Sequence, residues 1–289
     1  MTLGSLFMRA ILLALAGFFS YTLMDLSIKW LLQGYALVQV IFFNSLFALI
    51  GLFLWILPRR SLLYSRQPGL HLQRAVLLLI IDALAFYSYG KVPLAEAYTL
   101  ILTMPLFIAI FAMLFRYEGF DATRLGLVLL GFAGVYIILS PSFRQIEIAL
   151  LAALASAVIE AFSFLLVVKH KQREHPLAFA FYGMAFMTLV TGFWPGWSFT
   201  EYAASAYLIS AGGGFCYALA TACVLSAFHA GSPSAVSSMQ YSQMLWGLLL
   251  GVLIWGEWPA IPSLIGGGLI ALSGLLLIQR ERKPITTDT

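Results

Sequence analysis

Apolar residues fill this chain in long blocks separated by short polar or basic connections, and within each block they run on continuously instead of alternating. A hydrocarbon core of about 30 Å takes about 20 helical residues per crossing. The blocks therefore predict ten membrane-spanning helices, at 8–32, 36–57, 72–90, 93–116, 122–140, 146–168, 177–195, 203–228, 233–256 and 260–279. Lipid-facing strands require alternation, so continuous blocks favour helices over a barrel. The expected fold is all-α and integral to the membrane. The longest connection, from Pro58 to His71, is short and basic, which leaves no room for a soluble catalytic or nucleotide-binding domain.

One block occurs twice. The first copy runs from Pro93 through AEAYTLILTMPLFIAIFAMLFRYEG to Leu125 and Gly126, the second from Pro233 through AVSSMQYSQMLWGLLLGVLIWGEWP to Gly266. Pro93 and Glu118 are 25 positions apart, Pro233 and Glu257 are 24 apart, and the spacings Gly126 to Gly134 and Gly266 to Gly274 are both 8. Lys29 and Lys169 hold corresponding places in spans one and six. Five spans separate equivalent points, so the second copy is expected upside down relative to the first, with any site near the interface of the repeats. The halves are expected at 1–143 and 144–289, five helices each. Pro105 faces Met244 or Leu245 in the second copy, which makes span four the better place for a bend.

Composition agrees with a membrane protein. With 62% hydrophobic and 10% charged residues, 289 residues cannot clothe a soluble domain. The net charge of +4 and a pI near 9.1 would suggest nucleic acid in a soluble protein, but the basic residues follow topology instead. With the N-terminus inside, Arg9, Arg59, Arg60, Arg66, Arg74, Arg116, Arg124, Lys169, Lys171, Arg173, Arg280, Arg282 and Lys283 fall on the inner side, leaving only Lys29, Lys91 and Arg144 of the 16. Both termini are therefore expected in the cytoplasm, and no nucleic-acid partner is expected. The first apolar stretch carries Asp25 and Lys29 and is too long for the core of a cleavable signal, so it is expected to be the first span. Cys216 and Cys223 lie seven apart on one helix, too far for a disulfide.

Ionisable groups within spans cost roughly 2.5–3.5 kcal/mol each on insertion scales, so each calls for a reason. Asp82 and Glu160 sit mid-span with no basic residue three or four positions away. Each is expected to carry a proton or to anchor a substrate ammonium; the alternative is a protonated acid bonded to a neighbouring helix. Phe86 and Tyr89 share the Asp82 face, Ser163 shares the Glu160 face, and Tyr217 and Thr221 share a face after the flexible run Gly212 to Gly214. Asp25 and Lys29, four apart, are expected to pair locally. Glu96, Thr99 and Thr103 form one face of span four. Gln240 and Gln243 form one face of span nine with Gly247 and Gly251, flanked by Ser237 and Tyr241, and both faces are expected to meet at the pseudo-two-fold axis. Trp194, Trp197, Trp255 and Trp258 are expected in the interfacial belts.

Enzymatic motifs are missing. There is no GxxxxGK[ST] loop, no HExxH or CxxC spacing and no GxSxG elbow, and His71, His170, His175 and His229 fall at span ends or in loops. No enzyme activity, no cofactor and no metal site are expected.

The repeating residues carry a family resemblance. The span-one lysine Lys29, the Ala and Pro of AEAYTLILTMP, the turn glutamates Glu118 and Glu257 and the LG…G helix after them resemble the EamA-type carriers of the drug/metabolite transporter superfamily, in both halves. Asn44 stands where such proteins often have arginine, and RYEG where LGE is usual. The resemblance implies two inverted five-helix repeats in a bacterial inner membrane and secondary transport without a cofactor. It also implies outward movement of small metabolites, often amino acids and including aromatic ones, by alternating access. Protons are a further expected partner, lipid surrounds the chain, and a monomer is the expected transport unit, while the glycine-rich faces of spans five and ten leave a homodimer open. The same polar and aromatic residues would serve a lipid or lipid-linked-intermediate flippase, which stands as the alternative.

Overall fold

The computed structural model describes residues 3–58, 63–65, 67–115, 122–139, 148–170, 174–195, 202–230, 236 and 239–281. Among these, the first half holds α1 (Leu3–Leu31), α2 (Leu37–Ile56), α3 (Pro68–Tyr89), α4 (Leu94–Ile101), α5 (Met104–Leu114) and α6 (Ala122–Leu139). The second half holds α7 (Ile148–His170), α8 (Pro176–Gly192), α9 (Ala204–Ala230), a 3-10 turn (Met239–Tyr241), α10 (Ser242–Trp255) and α11 (Ile261–Glu281). The fold is all-α with ten spans, the fourth made of α4 and α5. Helices α1, α2, α3, α7 and α9 are each long and apolar enough to cross a bilayer alone, and the others are shorter.

The ends of the helices follow from local chemistry. Pro68 and Pro176 start α3 and α8, where a missing N–H costs nothing. The His175 ring caps α8 by accepting the Leu177 N–H at 3.2 Å. Helix α10 ends on Gly256, whose φ of 67° is the left-handed conformation that glycine adopts without strain. Its N–H bonds Val252 O at 2.9 Å, and the turn that follows presents Glu257.

Span four breaks where its proline demands it. Pro105 has no N–H for Ile101 O, and the chain tightens into a turn at Leu102 and Thr103, with the Thr103 N–H on Leu100 O at 3.0 Å. The 3-10 turn at Met239–Tyr241 changes the pitch of span nine at the equivalent level without a proline.

Packing repeats the internal symmetry. Exchanging the halves turns the α1–α9 pairing into α7–α3, α2–α9 into α8–α3, and the contact of span four with α7 into that of α10 with α1, and all of these are present. The pairs α2–α8, α4–α10 and α6–α11 map onto themselves and lie on the pseudo-two-fold axis. Because five spans separate mates, the two halves cross the bilayer in opposite senses. The symmetry is not exact: among the described residues α1 packs more closely on α3 than their mates α7 and α9 pack on each other.

Glycines here serve close approach. A Cβ on Gly134 would stand 2.5 Å from Gly266 O, and one on Gly266 would stand 2.5 Å from Gly134 O, so α6 and α11 meet backbone to backbone within the chain. The faces that left a homodimer open are thus occupied internally at these positions. The run Gly212 to Gly214 is continuous helix, not a flexible link, and a Cβ on Gly214 would meet the α2 backbone at Asn44 O, 2.7 Å away. The expected division at 143 and 144, and Arg116, Glu118, Ser237 and Trp197, lie outside the described residues.

Candidate functional site: a central chamber closed at one face

Span alternation puts the start of α1 and the end of α11 on one face, here the tail face, with Lys29 and Glu257 on the opposite, far face. Between them lies a chamber of two adjoining lobes. From α3, Arg74, Leu78, Asp82, Phe86 and Tyr89 line it, a stripe at helical spacing. From α1 come Phe18, Tyr21, Met24 and Asp25; from α7, Ser156, Glu160 and Phe164. Tyr217 and Thr221 enter from α9, and Gln240 and Gln243 from the 3-10 turn and α10.

Three carboxylates face this space. The Tyr217 hydroxyl donates to Asp82 Oδ2 at 2.8 Å, and the Tyr98 hydroxyl donates to Asp25 Oδ2 at 2.6 Å. Glu160 makes neither a hydrogen bond nor an ion pair among the described residues. Tyr21 and Thr221 share a hydrogen bond at 3.1 Å, and the rings of Tyr21 and Tyr217 lie 6.0 Å apart, so aromatic surface separates the acids. The arrangement offers negative charge, hydroxyls and ring faces to a small amphipathic molecule.

The far face is shut by two layers. In the lower one, Tyr89 packs edge-on against Tyr98 at 5.8 Å, beside the Tyr98–Asp25 bond. Above it, Lys29 Nζ pairs with Glu257 Oε2 at 2.7 Å and donates to Val92 O at 3.0 Å, and Trp255 covers it at 5.5 Å. The expected local pair of Asp25 and Lys29 does not form; Asp25 takes its partner from Tyr98 on α4 and Lys29 from Glu257 in the turn after α10. Lys169, the repeat mate of Lys29, is exposed at the tail face. On that side His71 Nε2 and Glu174 Oε2 are 3.1 Å apart and both buried, joining α3 to the connection before α8.

The structure brings together Asp82, Phe86, Tyr89, Glu160, Tyr217, Gln240 and Gln243 in the chamber wall. It places Glu96, Thr99, Thr103, Ser163 and Tyr241 elsewhere. Glu96 Oε1 accepts the Ala260 N–H at 3.1 Å and ties α4 to the far-face turn. Thr99 and Thr103 donate to Glu96 O and Leu100 O, both at 2.6 Å, and the Thr99 methyl faces α11 at Gly267. Ser163 is buried without a polar partner, and Tyr241 is turned towards Gly274 on α11. The two polar faces of spans four and nine therefore do not meet: Tyr98 fills the groove over Gly247 between them.

Nothing in the sequence pointed to span one or Arg74 as walls of the chamber. Arg74 belongs by sequence to the inner basic set, yet its side chain turns into the chamber. Trp194 and Trp258 are exposed as expected of belt residues, but Trp255 is half-buried against Trp30 and Lys29.

Two halves of equal plan are also what the family comparison finds. The EamA-like transporter family matches residues 8–140 and again 147–279. The chain belongs to the EamA-like transporter family. As a member it is a secondary transporter of small metabolites and a multi-pass membrane protein, not an enzyme. It is 28% identical over 230 residues to a riboflavin transporter of Vibrio cholerae, covering 78% of this chain and 76% of that one. It is 26% identical over 282 residues to a pseudopaline exporter of Pseudomonas aeruginosa, covering 94% and 96%. It is 23% identical over 254 residues to an S-adenosylmethionine uptake transporter of Rickettsia bellii, covering 86% of each. These EamA-like relatives differ in cargo and direction while sharing the frame. A crystal structure 18% identical in sequence covers 96% of this chain and 100% of its own with a TM-score of 0.66, a likeness of fold.

Proposed function

We propose that this EamA-like carrier exports amino acids or similar small amphipathic metabolites across the bacterial inner membrane by alternating access. The observation that carries the reading is the chamber itself, in which Asp82, Glu160 and aromatic rings face one space on the repeat axis under a closed far face. Carboxylates attract a substrate ammonium, and the rings pack an apolar or aromatic body. The charge distribution of the connections supports cytoplasmic termini, which puts the chamber on the cytoplasmic side of the Lys29–Glu257 closure. The halves 1–143 and 144–289 would rock against each other about the shared site, and one chain suffices as the transport unit. Protons serve as the second partner through Asp82 or Glu160.

Reconstitution separates this reading from a flippase. Purified protein in proteoliposomes should move labelled amino acids saturably. Scrambling of labelled lipid without any solute flux would overturn the proposal in favour of lipid translocation.

A further inference from the structure

Among the described residues that line the chamber Arg74 is the one cation, and it makes neither a hydrogen bond nor an ion pair with them. Arg74 lines both lobes, but its Nε and Nη1 are buried and meet no acceptor. The ion pairs among the described residues join Lys29 to Glu257 and His71 to Glu174, and neither includes Arg74. A residue that served only to set topology would extend its guanidinium to the headgroups and water. This one points inward, about 9 Å of helix beyond the start of α3. Two buried guanidinium nitrogens without acceptors are costly, and the planar fork they form matches a carboxylate in two parallel bonds.

Two acceptors lacking donors face the same space. Asp82 and Asp25 are each held by a tyrosine hydroxyl, but among the described residues Glu160 has no donor, and Gln240 Oε1 is buried without one. Both line the two lobes together with Arg74. An ammonium has three N–H groups to give and no acceptor, so it complements this pair. Building on the reading of an amino-acid-like cargo, we propose that Arg74 binds the cargo's carboxylate while Glu160 and Gln240 receive its ammonium. The chamber then selects zwitterions that carry both groups on adjoining atoms, and the apolar remainder packs on Phe18 and Phe164.

The test is ligand stabilisation of the full-length protein in lipid nanodiscs. Phenylalanine, methionine, threonine and lysine are each compared with their α-amides and their decarboxylated amines. For a bound amino acid, the amide and amine are expected to need about ten- to hundredfold higher concentration for the same rise in unfolding temperature. Arg74→Gln should abolish that difference while leaving the response to the amine. Arg74→Lys keeps the charge but loses the fork and should weaken the amino acid roughly tenfold without changing the amine, so it decides the matter if Arg74→Gln does not fold. An amide that binds as well as its acid, or an Arg74→Lys protein indistinguishable from the original, overturns the assignment of Arg74 while leaving the cargo reading standing. No response to any acid, amide or amine overturns the cargo reading, and this assignment with it.

Discussion

Lys29 Nζ lies 2.7 Å from Glu257 Oε2 and joins the last turn of the first span to a turn 228 residues away. The side chains are 7% and 29% exposed, so the pair is shielded enough for its loss to leave an uncompensated charge. With the Val92 carbonyl on the same ammonium, it fastens three elements at the far face.

Glu257→Gln should therefore loosen this closure and raise the population open to the far side. A cysteine at Met24, in a background with Cys216 and Cys223 replaced by serine, should react with a membrane-impermeant maleimide about tenfold faster in the variant, for a shift of about 1.4 kcal/mol. Equal rates would mean that the pair does not control access.

Tyr217 gives Asp82 its hydrogen bond inside the chamber. Tyr217→Phe should lower stability by about 1–3 kcal/mol, the usual cost of stranding a buried acceptor. Thermal unfolding reads this, and an unchanged midpoint would show that the carboxylate is satisfied without Tyr217.

The α6–α11 contact leaves no room for a methyl group. Gly134→Ala should be destabilising by about 1–3 kcal/mol, because its Cβ meets the Gly266 backbone rather than a side chain that can turn away. Gly268, with open space around it, is the control: Gly268→Ala should be neutral or mildly stabilising in the same assay.

Much of the architecture was legible because the bilayer imposes length and continuity on each span, and the inverted repeat shows in the Pro93 and Pro233 blocks. The break at Leu102 and Thr103 follows from Pro105, while the matching 3-10 turn before Ser242 has no proline to announce it. Helical spacing from Asp82 gathers Phe86 and Tyr89 on one wall, because one helix face points one way. It failed for Thr99, Thr103 and Tyr241, whose faces turn towards backbone carbonyls or α11, since which neighbour a face meets is a tertiary matter. Lys29 misled for a similar reason: an acid four residues away invites a local pair, but Tyr98 reaches Asp25 and Glu257 reaches Lys29 from across the fold. Arg74 was hidden by its place near a span end, where a basic residue reads as topology.

Asp82 and Glu160 face Asp25 and Tyr21 from α1, Arg74 from α3, Tyr217 from α9 and Gln240 from span nine, and neither is neutralised by an ion pair. An empty chamber reorients more cheaply if such an acid takes up a proton, because bare charge is costly at membrane depth. Flux by the unaltered protein should therefore depend on pH, and Asp82→Asn combined with Glu160→Gln should flatten that dependence. A pH profile of unchanged shape in the double variant would remove these acids from the coupling.

The central claim is that one chamber, opened alternately to either side, carries a small amino-acid-like solute. Counterflow in proteoliposomes tests it most directly: vesicles loaded with excess unlabelled phenylalanine, methionine, threonine or lysine are diluted into a trace of the same labelled amino acid. The account predicts transient, saturable accumulation of label for at least one of them, lost in Glu160→Gln. No accumulation above protein-free vesicles for any of the four would contradict it.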